Sequence, residues 1–254
     1  MKTETAASFA GPAGNSAPAI SAILPAFNEA PCIETVVQEL LEVLRGLGRP
    51  FEVIAVDDGS TDATYALLAA LAAREPEVRV LRLTPNSGQS AALGAGFRAA
   101  RGPVLVTLDA DGQNDPADIP RLVERLSECD VCCGYRTRRQ DTWSKRAGSR
   151  LGNFFRNLFL KERIRDTGCT LKAFRAAWAR DLPLQFRGLH RFLPALMVMA
   201  GARLEEQPVG HRPRAAGASK YTNWGRLKET VWDVWAVRWM QKRIRRYRVE
   251  EPAP

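Results

Sequence analysis

The sequence predicts an α/β fold with a mostly parallel central sheet flanked by helices. Short apolar runs alternate with helical patterns four times in the first ~110 residues, which is the arrangement that builds βαβ units. These runs lead into polar or acidic residues. Because parallel strands place their carboxyl ends at one edge of a sheet, we expect these polar residues to gather where open α/β sheets bind ligands.

The first two strands each lead directly into a helix. The first begins at Ile20 and is broken by Pro25, after which Asn-Glu at 28–29 opens a helical pattern. The second spans 51–56 and is followed by Asp-Asp-Gly-Ser-Thr-Asp at 57–62. Both runs are short and apolar, as is typical of strands buried in a parallel sheet.

The turn after the second strand contains its own helix-start signals. Ser60 or Thr61 is placed to cap the next helix, because their hydroxyls accept hydrogen bonds from the first free N–H groups. We interpret Asp58 and Asp62 as turn and capping residues rather than as ligands. The third strand, at 78–83, is followed by an Ala- and Gly-rich helix.

The fourth strand ends in the most informative segment of the chain. The apolar run 105–108 stops at Asp109 and Asp111, with Gln113 two residues further on. Carboxylate and amide oxygens are the ligands that Mg²⁺ and Mn²⁺ prefer, and such a metal usually shares its shell with substrate phosphates. The alternative is that the two aspartates only begin a loop, because Asp-Gly is a common turn signal.

Five cysteines indicate the compartment and part of the core. Cys129 and Cys132 have the spacing of zinc ligands, but the sequence offers no second pair or histidine cluster to complete a site. They fall in the apolar run 129–134, where cysteine packs as a small hydrophobic residue. The odd number of cysteines, without a secretory signal pattern, predicts a reducing cytoplasm.

Eight motifs in order resemble a known family. Four resemble the signature of family-2 inverting glycosyltransferases with a GT-A fold: Leu-Pro-Ala-Phe-Asn-Glu at 24–29, Asp-Asp-Gly-Ser-Thr-Asp at 57–62, Asn-Ser-Gly at 86–88 and Asp-Ala-Asp-Gly-Gln at 109–113. Four more resemble its polyprenyl-phosphate branch, which includes dolichol-phosphate mannosyltransferase and bacterial undecaprenyl-phosphate relatives: 134–136, 166–170, 189–194 and 211–221. The resemblance covers residues 20 to 240 and implies a GT-A (Rossmann-like) sheet.

The resemblance implies a reaction. A sugar would pass from a nucleotide-sugar (GDP-mannose, UDP-glucose or a UDP-N-acetylhexosamine) to undecaprenyl or dolichyl phosphate, with inversion at the anomeric carbon. The product would be a lipid-phosphate-sugar donor for cell-envelope glycan or lipid modification. The implied cofactor is Mg²⁺ or Mn²⁺, and the stretches 189–196 and 211–214 look more bacterial than eukaryotic, which favours undecaprenyl phosphate.

The resemblance also implies the site residues. The donor-binding positions are Pro25, Ala26, Glu29, Asp57, Asp109, Arg214 and Lys220. The metal ligands are Asp109, Asp111 and Gln113, the acceptor-phosphate positions are Arg136, Lys145, Arg146 and Ser149, and the catalytic positions are Asp111, Arg136 and Asp166. Arginine suits bidentate phosphate recognition and lysine supplies a point charge, and the small residues between Arg214 and Lys220 suit a loop that closes over bound donor.

A phosphate acceptor changes the need for a general base. The second pKa of a phosphate monoester is ~6, so its oxygen is already a nucleophile near neutral pH. The site then needs cations that position this oxygen, and a dedicated base is not required. We therefore interpret Asp166 as orienting a cation or the sugar. His190 lies in a family motif, and a structural role explains it equally well.

The basic segments predict attachment to a membrane surface. The net charge is +9, with clusters at 136–165 and 238–248, and helical patterns at about 143–163 and at 222–248 combine basic residues with aromatic ones. Basic amphipathic helices of this kind lie in the interface of a bilayer. No apolar stretch reaches the ~18 residues of a spanning helix. We expect a cytoplasmic protein, peripheral on the inner face of the cytoplasmic membrane.

The expected domain organisation is a disordered leader at 1–18, a catalytic domain at 19–221 and the amphipathic helix at 222–248, with no transmembrane segment. Three alternatives stay open. A saccharide acceptor leaves the cations at 136–165 without a purpose. A nucleic-acid-binding protein, suggested by the high positive charge, leaves the strand-end acids unexplained. A catalytically inactive protein of this fold would not require Asp109 and Asp111. We expect no nucleic-acid partner. The Trp-rich helix is also able to pair subunits, so a homo-oligomer is a further alternative.

Overall fold

Seven strands of the described residues form one central sheet. The computed structural model describes residues 17–137, 156–162, 164–213 and 223–245. The strands are β1 (Ile20–Ala26), β2 (Phe51–Asp57), β3 (Val78–Arg82), β4 (Val104–Thr107), β5 (Val131–Arg136), β6 (Lys172–Arg175) and β7 (Leu204–Val209). Across the sheet their order is β3-β2-β1-β4-β6-β5-β7.

Six strands run in one direction and β6 runs in the other. β1 pairs in parallel with β2 and β4, β2 with β3, and β5 with β7. β6 is antiparallel to both β4 and β5. The prediction of a mostly parallel sheet is therefore confirmed. The carboxyl ends of β1, β2, β4 and β5 meet at one edge, and the amino-terminal end of β6 lies at that same edge.

Helices pack on both faces of the sheet. They are α1 (Ile33–Gly46), α2 (Thr64–Arg74), α3 (Gln89–Ala99), α4 (Ile119–Arg125), α5 (Leu193–Ala200) and α6 (Asn223–Arg243), with a further helical segment at 156–160. One apolar cluster lies under α1, α2 and α4, and a second lies under α3, α5 and α6. Because both faces are covered, the central strands β1 and β4 read as nearly continuous apolar runs.

The cysteines are buried inside these clusters. All five are buried free thiols. Burial raises the pKa of the Cys132 and Cys133 thiols to about 12, so both stay protonated and unreactive near neutral pH. The prediction of a buried strand over the run 129–134 is confirmed by β5, which begins two residues later.

The C-terminal helix α6 has two apolar faces. Val237 is fully buried, and Val234 and Met240 pack beside it against the second cluster. Trp235 and Trp239 point outward and are 61% and 59% exposed. Hydrophobic periodicity alone does not separate the core-facing side of this helix from its exposed side. No helix among the described residues is long and apolar enough to cross a bilayer.

Candidate functional site

The loops after β1 and β2 are tied to each other at the carboxyl edge. Asn28, in a left-handed conformation with φ of 54°, donates its backbone N–H to Ser60 Oγ at 2.9 Å. Its Oδ1 accepts the backbone N–H of Thr61 at 2.8 Å. The backbone N–H of Glu29 donates to Thr64 Oγ1 at 2.8 Å. The two loops therefore hold one fixed arrangement beside the predicted donor site.

The start of α2 is capped differently from the prediction. Asp62 Oδ1 accepts the backbone N–H of Thr64 at 2.9 Å, and Asp62 Oδ2 accepts the N–H of Ala30 at 3.3 Å. The capping role predicted for Asp62 is confirmed. The cap predicted at Ser60 or Thr61 is wrong, because both residues bind Asn28 of the neighbouring loop.

Asp58 joins the β2 loop to the segment before α3. Its side chain is buried and accepts hydrogen bonds from Ser87 N at 2.7 Å, Gly88 N at 2.8 Å and Asn86 Nδ2 at 2.9 Å. Loss of hydration raises the pKa of this carboxyl above its ordinary value despite these donors. Gly59 has φ of 69°, and a Cβ there would lie 2.8 Å from Asn86 N. The prediction of a structural role for Asp58 is confirmed.

The predicted donor residues of β1 and β2 lie at this edge. Asp57 is fully buried, with Oδ2 3.2 Å from Arg82 Nε and 3.3 Å from the N–H of Ser60. Ala26 is also buried, and its carbonyl accepts the N–H of Asp58 at 2.8 Å. Pro25 lines the cleft described below. Contacts of these residues and of Glu29 with a donor stay predictions.

The two acids after β4 form an electrostatically strained pair. Asp109 Oδ1 accepts Gln89 Nε2 at 2.7 Å, and Asp111, which is buried, accepts the N–H of Gln113 at 3.1 Å. Loss of hydration, together with the charge of the Asp111 carboxylate, raises the pKa of Asp109 to about 7, although Thr170 and Lys172 lower it. Two neighbouring carboxylates whose charges oppose each other fit a divalent cation.

The donor set also fits a metal that relies on its substrate. No group of three or more His, Cys, Asp or Glu side chains gathers around a metal position within the described part of the chain. Mg²⁺ is commonly held by one or two carboxylates plus substrate phosphates and water. Asp109 and Asp111, with the amide of Gln113 nearby in sequence, match this incomplete shell.

A small cleft opens beside Asp109. Its lining residues are Pro25, Gln89, Leu93, Thr107, Leu108, Asp109, Thr170, Lys172, His190 and Leu193. The buried ammonium of Lys172 donates to the carbonyl of Cys169 and faces the charge of Asp109. Sequence reasoning missed Gln89, Thr170 and Lys172, although a single lysine among the otherwise uncharged residues 169–174 is a signal of a paired buried cation.

Arg136 and Asp166 form one unit at the end of β5. Arg136 donates Nε to Asp166 Oδ2 at 2.7 Å and Nη2 to Oδ1 at 2.9 Å, and its backbone N–H also reaches Oδ2 at 3.2 Å. Their side chains are 14% and 7% exposed. A bidentate pair fixes the plane of a guanidinium. Asp166 is thus placed to orient Arg136.

The strand order sets the spacing of the site. Neighbouring strands lie about 4.8 Å apart, so Asp57 on β2 and Asp109 after β4 are separated by about 10 Å across the sheet. Arg136 on β5 lies about the same distance beyond Asp109 on the other side, because β6 intervenes. The edge therefore carries a buried acid, a pair of strained acids and an oriented cation in a row.

The remaining predicted residues, Lys145, Arg146, Ser149, Arg214 and Lys220, lie outside the described residues. The backbone that leads toward 214 is anchored at Arg212, which donates Nη1 to Glu39 Oε2 at 2.6 Å and Nη2 to Asp115 Oδ1 at 2.9 Å. The N–H of Arg212 also donates to the carbonyl of Gln113 at 2.9 Å. The segment after β7 is therefore attached to the loop after β4 that contains Asp109 and Asp111.

The mostly parallel sheet with acids at its carboxyl edge defines a protein of the GT-A fold class, and the chain belongs to glycosyl transferase family 2. The model of that family matches residues 21–182. The GT-A resemblance drawn from the motifs is confirmed.

Two groups of curated relatives are similar to the chain. A dodecaprenyl-phosphate galacturonate synthase from Rhizobium johnstonii is 36% identical over 208 residues, covering 80% of this chain and 61% of the relative. An undecaprenyl-phosphate 4-deoxy-4-formamido-L-arabinose transferase from Pseudomonas aeruginosa is 38% identical over 205 residues, covering 80% and 60%. The chain thus spans about three fifths of the length of these relatives.

Solved structures share the fold. Glucosyl-3-phosphoglycerate synthase from Mycobacterium tuberculosis, in complex with Mn²⁺, UDP and phosphoglyceric acid, has a TM-score of 0.67 at 21% identity, covering 90% of this chain and 80% of that one. A mannosyltransferase from Pyrobaculum calidifontis, in complex with GDP-Man and Mn²⁺, has a TM-score of 0.62 at 21% identity, covering 87% and 64%. At this identity the likeness concerns the fold alone.

Proposed function

We propose that the protein transfers a sugar from a nucleotide-sugar to a polyprenyl phosphate, with inversion at the anomeric carbon. The observation that carries the proposal is the row of Asp57, the pair Asp109 and Asp111, and Arg136 along one sheet edge. A nucleoside, its diphosphate and an anionic acceptor need an acid, a metal site and a cation in that order. The relatives named for dodecaprenyl and undecaprenyl phosphate support this acceptor class.

The donor half of the site binds and orients the nucleotide-sugar. The interlocked loops after β1 and β2 offer Glu29 and Asp57 for the nucleoside. Asp109 and Asp111 hold a divalent cation, Mg²⁺ or Mn²⁺, which when bound neutralises the diphosphate and acts as a Lewis acid on the leaving group. Arg214 and Lys220 complete this half as phosphate contacts and exclude water.

The acceptor half positions an oxygen that needs no deprotonation. The lipid phosphate oxygen attacks the anomeric carbon as the bond from that carbon to the β-phosphate oxygen breaks, and the nucleoside diphosphate leaves. Arg136, held in one plane by Asp166, lowers the repulsion between the two phosphates and aims the nucleophile. Lys145, Arg146 and Ser149 share this task in the proposal, and Asp166 orients Arg136 without acting as a base.

We further propose that an exposed aromatic patch binds the protein to the inner face of the cytoplasmic membrane. The aromatic patch comprises Leu158, Phe159, Trp232, Trp235 and Trp239. Trp232 is 75% exposed, and its spacing of three and seven residues places all three tryptophans on one side of α6. Phe159 joins them, because its ring centroid lies 5.8 Å from that of Trp235.

Basic residues lie on the same two segments as this patch. Tryptophan at the headgroup level beside lysine and arginine is the composition of an interfacial helix on an anionic bilayer. Such attachment would bring the site to an acceptor whose prenyl chain stays in the membrane.

Transfer of radiolabelled sugar tests the reaction. A panel of GDP- and UDP-sugars would be incubated with undecaprenyl phosphate and Mg²⁺, Mn²⁺ or EDTA, and the label counted in the organic phase. We expect metal-dependent label from one donor, and none with Asp111→Asn. Label in a water-soluble saccharide, with none in the lipid phase, would overturn the acceptor assignment.

Vesicle sedimentation tests the membrane assignment. We expect the protein to sediment with vesicles that contain anionic lipid, and the double variant Trp235→Ser with Trp239→Ser to remain in the supernatant. Phe186→Ser is the matched control, because Phe186 is 56% exposed but lies on neither helix of the patch. If the patch instead pairs subunits, the mass of the protein in solution should fall by half in the double variant, and its binding to vesicles should be unchanged.

A further inference from the structure

Ser90 and His190 are joined by two hydrogen bonds at the wall of the cleft. Ser90 is the second residue of α3 and is 3% exposed. Its Oγ lies 2.9 Å from His190 Nδ1 and accepts the backbone N–H of His190 at 3.1 Å. The turn that carries His190 begins at Gly188, whose φ is 88°. The imidazole is thus fixed at both its backbone and its ring.

The hydroxyl of Ser90 decides which ring nitrogen of His190 carries the proton. A serine hydroxyl has one proton to donate and two positions at which to accept. The backbone N–H of His190 uses one accepting position. Among the described residues, the acceptor within reach of the hydroxyl proton is Nδ1. A protonated Nδ1 would leave this buried proton without an acceptor, which is costly. Nδ1 is therefore the acceptor, and Nε2 carries the hydrogen.

This tautomer excludes one role for His190 and defines another. A general base must present an unprotonated nitrogen to the substrate, whereas here the unprotonated nitrogen faces Ser90. His190 lines the same cleft as Asp109, Gln89 and Lys172. In the proposed function, this is where the diphosphate and the transferred sugar lie against the metal site.

We propose that His190 donates an Nε2–H hydrogen bond to an oxygen of the bound nucleotide-sugar, and that Ser90 is the positioning residue that fixes this tautomer. The contact rests on the proposed function. The tautomer does not, since it is inferred from the hydrogen bonds between Ser90 and His190, which involve no substrate. A neutral donor at this place stabilises negative charge that develops on the substrate without adding a further charge beside Asp109, Asp111 and Lys172.

Nitrogen NMR of the full chain tests the tautomer without substrate. The chain contains two histidines, His190 and His211, so the His190→Gln variant assigns the ring signals by subtraction. At slightly alkaline pH we expect a pyrrole-like Nε2 and a pyridine-like Nδ1 for His190, and a mixture of both tautomers in Ser90→Ala. A pyrrole-like Nδ1 in the unaltered protein would overturn the proposal.

Transfer kinetics of a matched pair of variants test the contact. The amide nitrogen of glutamine can occupy the position of Nε2, and that of asparagine the position of Nδ1. We expect His190→Gln to keep kcat/KM within about threefold and His190→Asn to lose about 10- to 100-fold, the size of one hydrogen bond to a charged group. If both variants lose kcat/KM equally while NMR shows the expected tautomer, the substrate contact would be overturned. No transfer by the unaltered protein with any donor would instead overturn the proposed function, and the NMR result would still stand.

Discussion

Replacing Asp166 with asparagine separates an orienting role from a catalytic one. Arg136 directs three N–H groups at the two oxygens of Asp166, at 2.7, 2.9 and 3.2 Å. Asparagine turns one oxygen into an NH₂ group, which sets a donor against a guanidinium donor. One charged hydrogen bond is worth about 1.5–3 kcal/mol, and the attraction of two charges about 4 Å apart is about 4 kcal/mol at an effective dielectric constant of 20. Rehydration of Arg136 returns part of this sum.

We therefore expect the free energy of unfolding of Asp166→Asn to fall by about 3 kcal/mol, measured by urea titration. The KM for the lipid acceptor should rise by about 10-fold or more, because Arg136 loses its fixed plane, while the KM for the donor stays within about twofold. A double-mutant cycle with Arg136→Met should show strong coupling, because the second substitution then lowers the free energy of unfolding by little more.

Asp130→Asn is the matched control, because Asp130 also faces an arginine. Its partner Arg203 is 69% exposed at a distance of 3.4 Å, so we expect less than about 1 kcal/mol and unchanged kinetics. The reasoning is refuted if Asp166→Asn lowers kcat by about 1,000-fold with unchanged stability and unchanged acceptor KM. That result would identify Asp166 as a general base.

Three other substitutions test the metal site and its loops. Asp111→Asn should abolish transfer and Mn²⁺ binding with an unchanged circular dichroism spectrum, and Mn²⁺ bound at the normal level by paramagnetic resonance would contradict the ligand assignment. In the metal-free protein the pKa of Asp109 is raised from 3.8 to about 7, so the folded state retains a proton that the unfolded chain releases. The free energy of unfolding should then fall as pH rises from about 4 to about 7. This fall should be smaller in Asp109→Asn than in the unaltered protein, by up to about 4 kcal/mol. Identical curves of urea midpoint against pH for the two proteins in EDTA would contradict this. Gly59→Ala, with its Cβ 2.8 Å from Asn86 N, should lose about 2–3 kcal/mol, whereas Gly48→Ala, at a similar φ of 62° with nothing within 4 Å, should lose about 1 kcal/mol. Equal melting temperatures for these two variants would argue against the close packing at Gly59.

The first half of the fold was predictable because its signals are local. β1, β2, β3 and β4 appear as apolar runs bounded by turn residues, and each is followed by a helix. β6 had no such signal. It is four residues long, runs antiparallel between β4 and β5, and contains a buried lysine. Its place follows from pairing with strands about 40 and 70 residues earlier in the chain, which periodicity does not encode.

The candidate site divides in the same way. Asp109 and Asp111 follow a strand, so the sequence could place them at the edge of the sheet, whereas Arg136 was predicted from the family resemblance. The pairing of Arg136 with Asp166 joins residues 30 positions apart, and that of Ser90 with His190 joins residues 100 positions apart. Such contacts depend on three-dimensional packing. For the same reason the cap predicted at Ser60 or Thr61 does not form, because both residues bind Asn28 of a neighbouring loop.

The interlocked loops also have a thermodynamic consequence for the order of events. Asn28 and Asp58 hold the segments after β1, β2 and β3 before any ligand arrives, so their backbone entropy is already lost during folding. A nucleotide that enters this preformed edge should bind with little ordering of the chain and a modest heat-capacity change. The binding enthalpy should therefore vary little with temperature, and calorimetry with UDP or GDP in the presence of Mg²⁺ at several temperatures would record it.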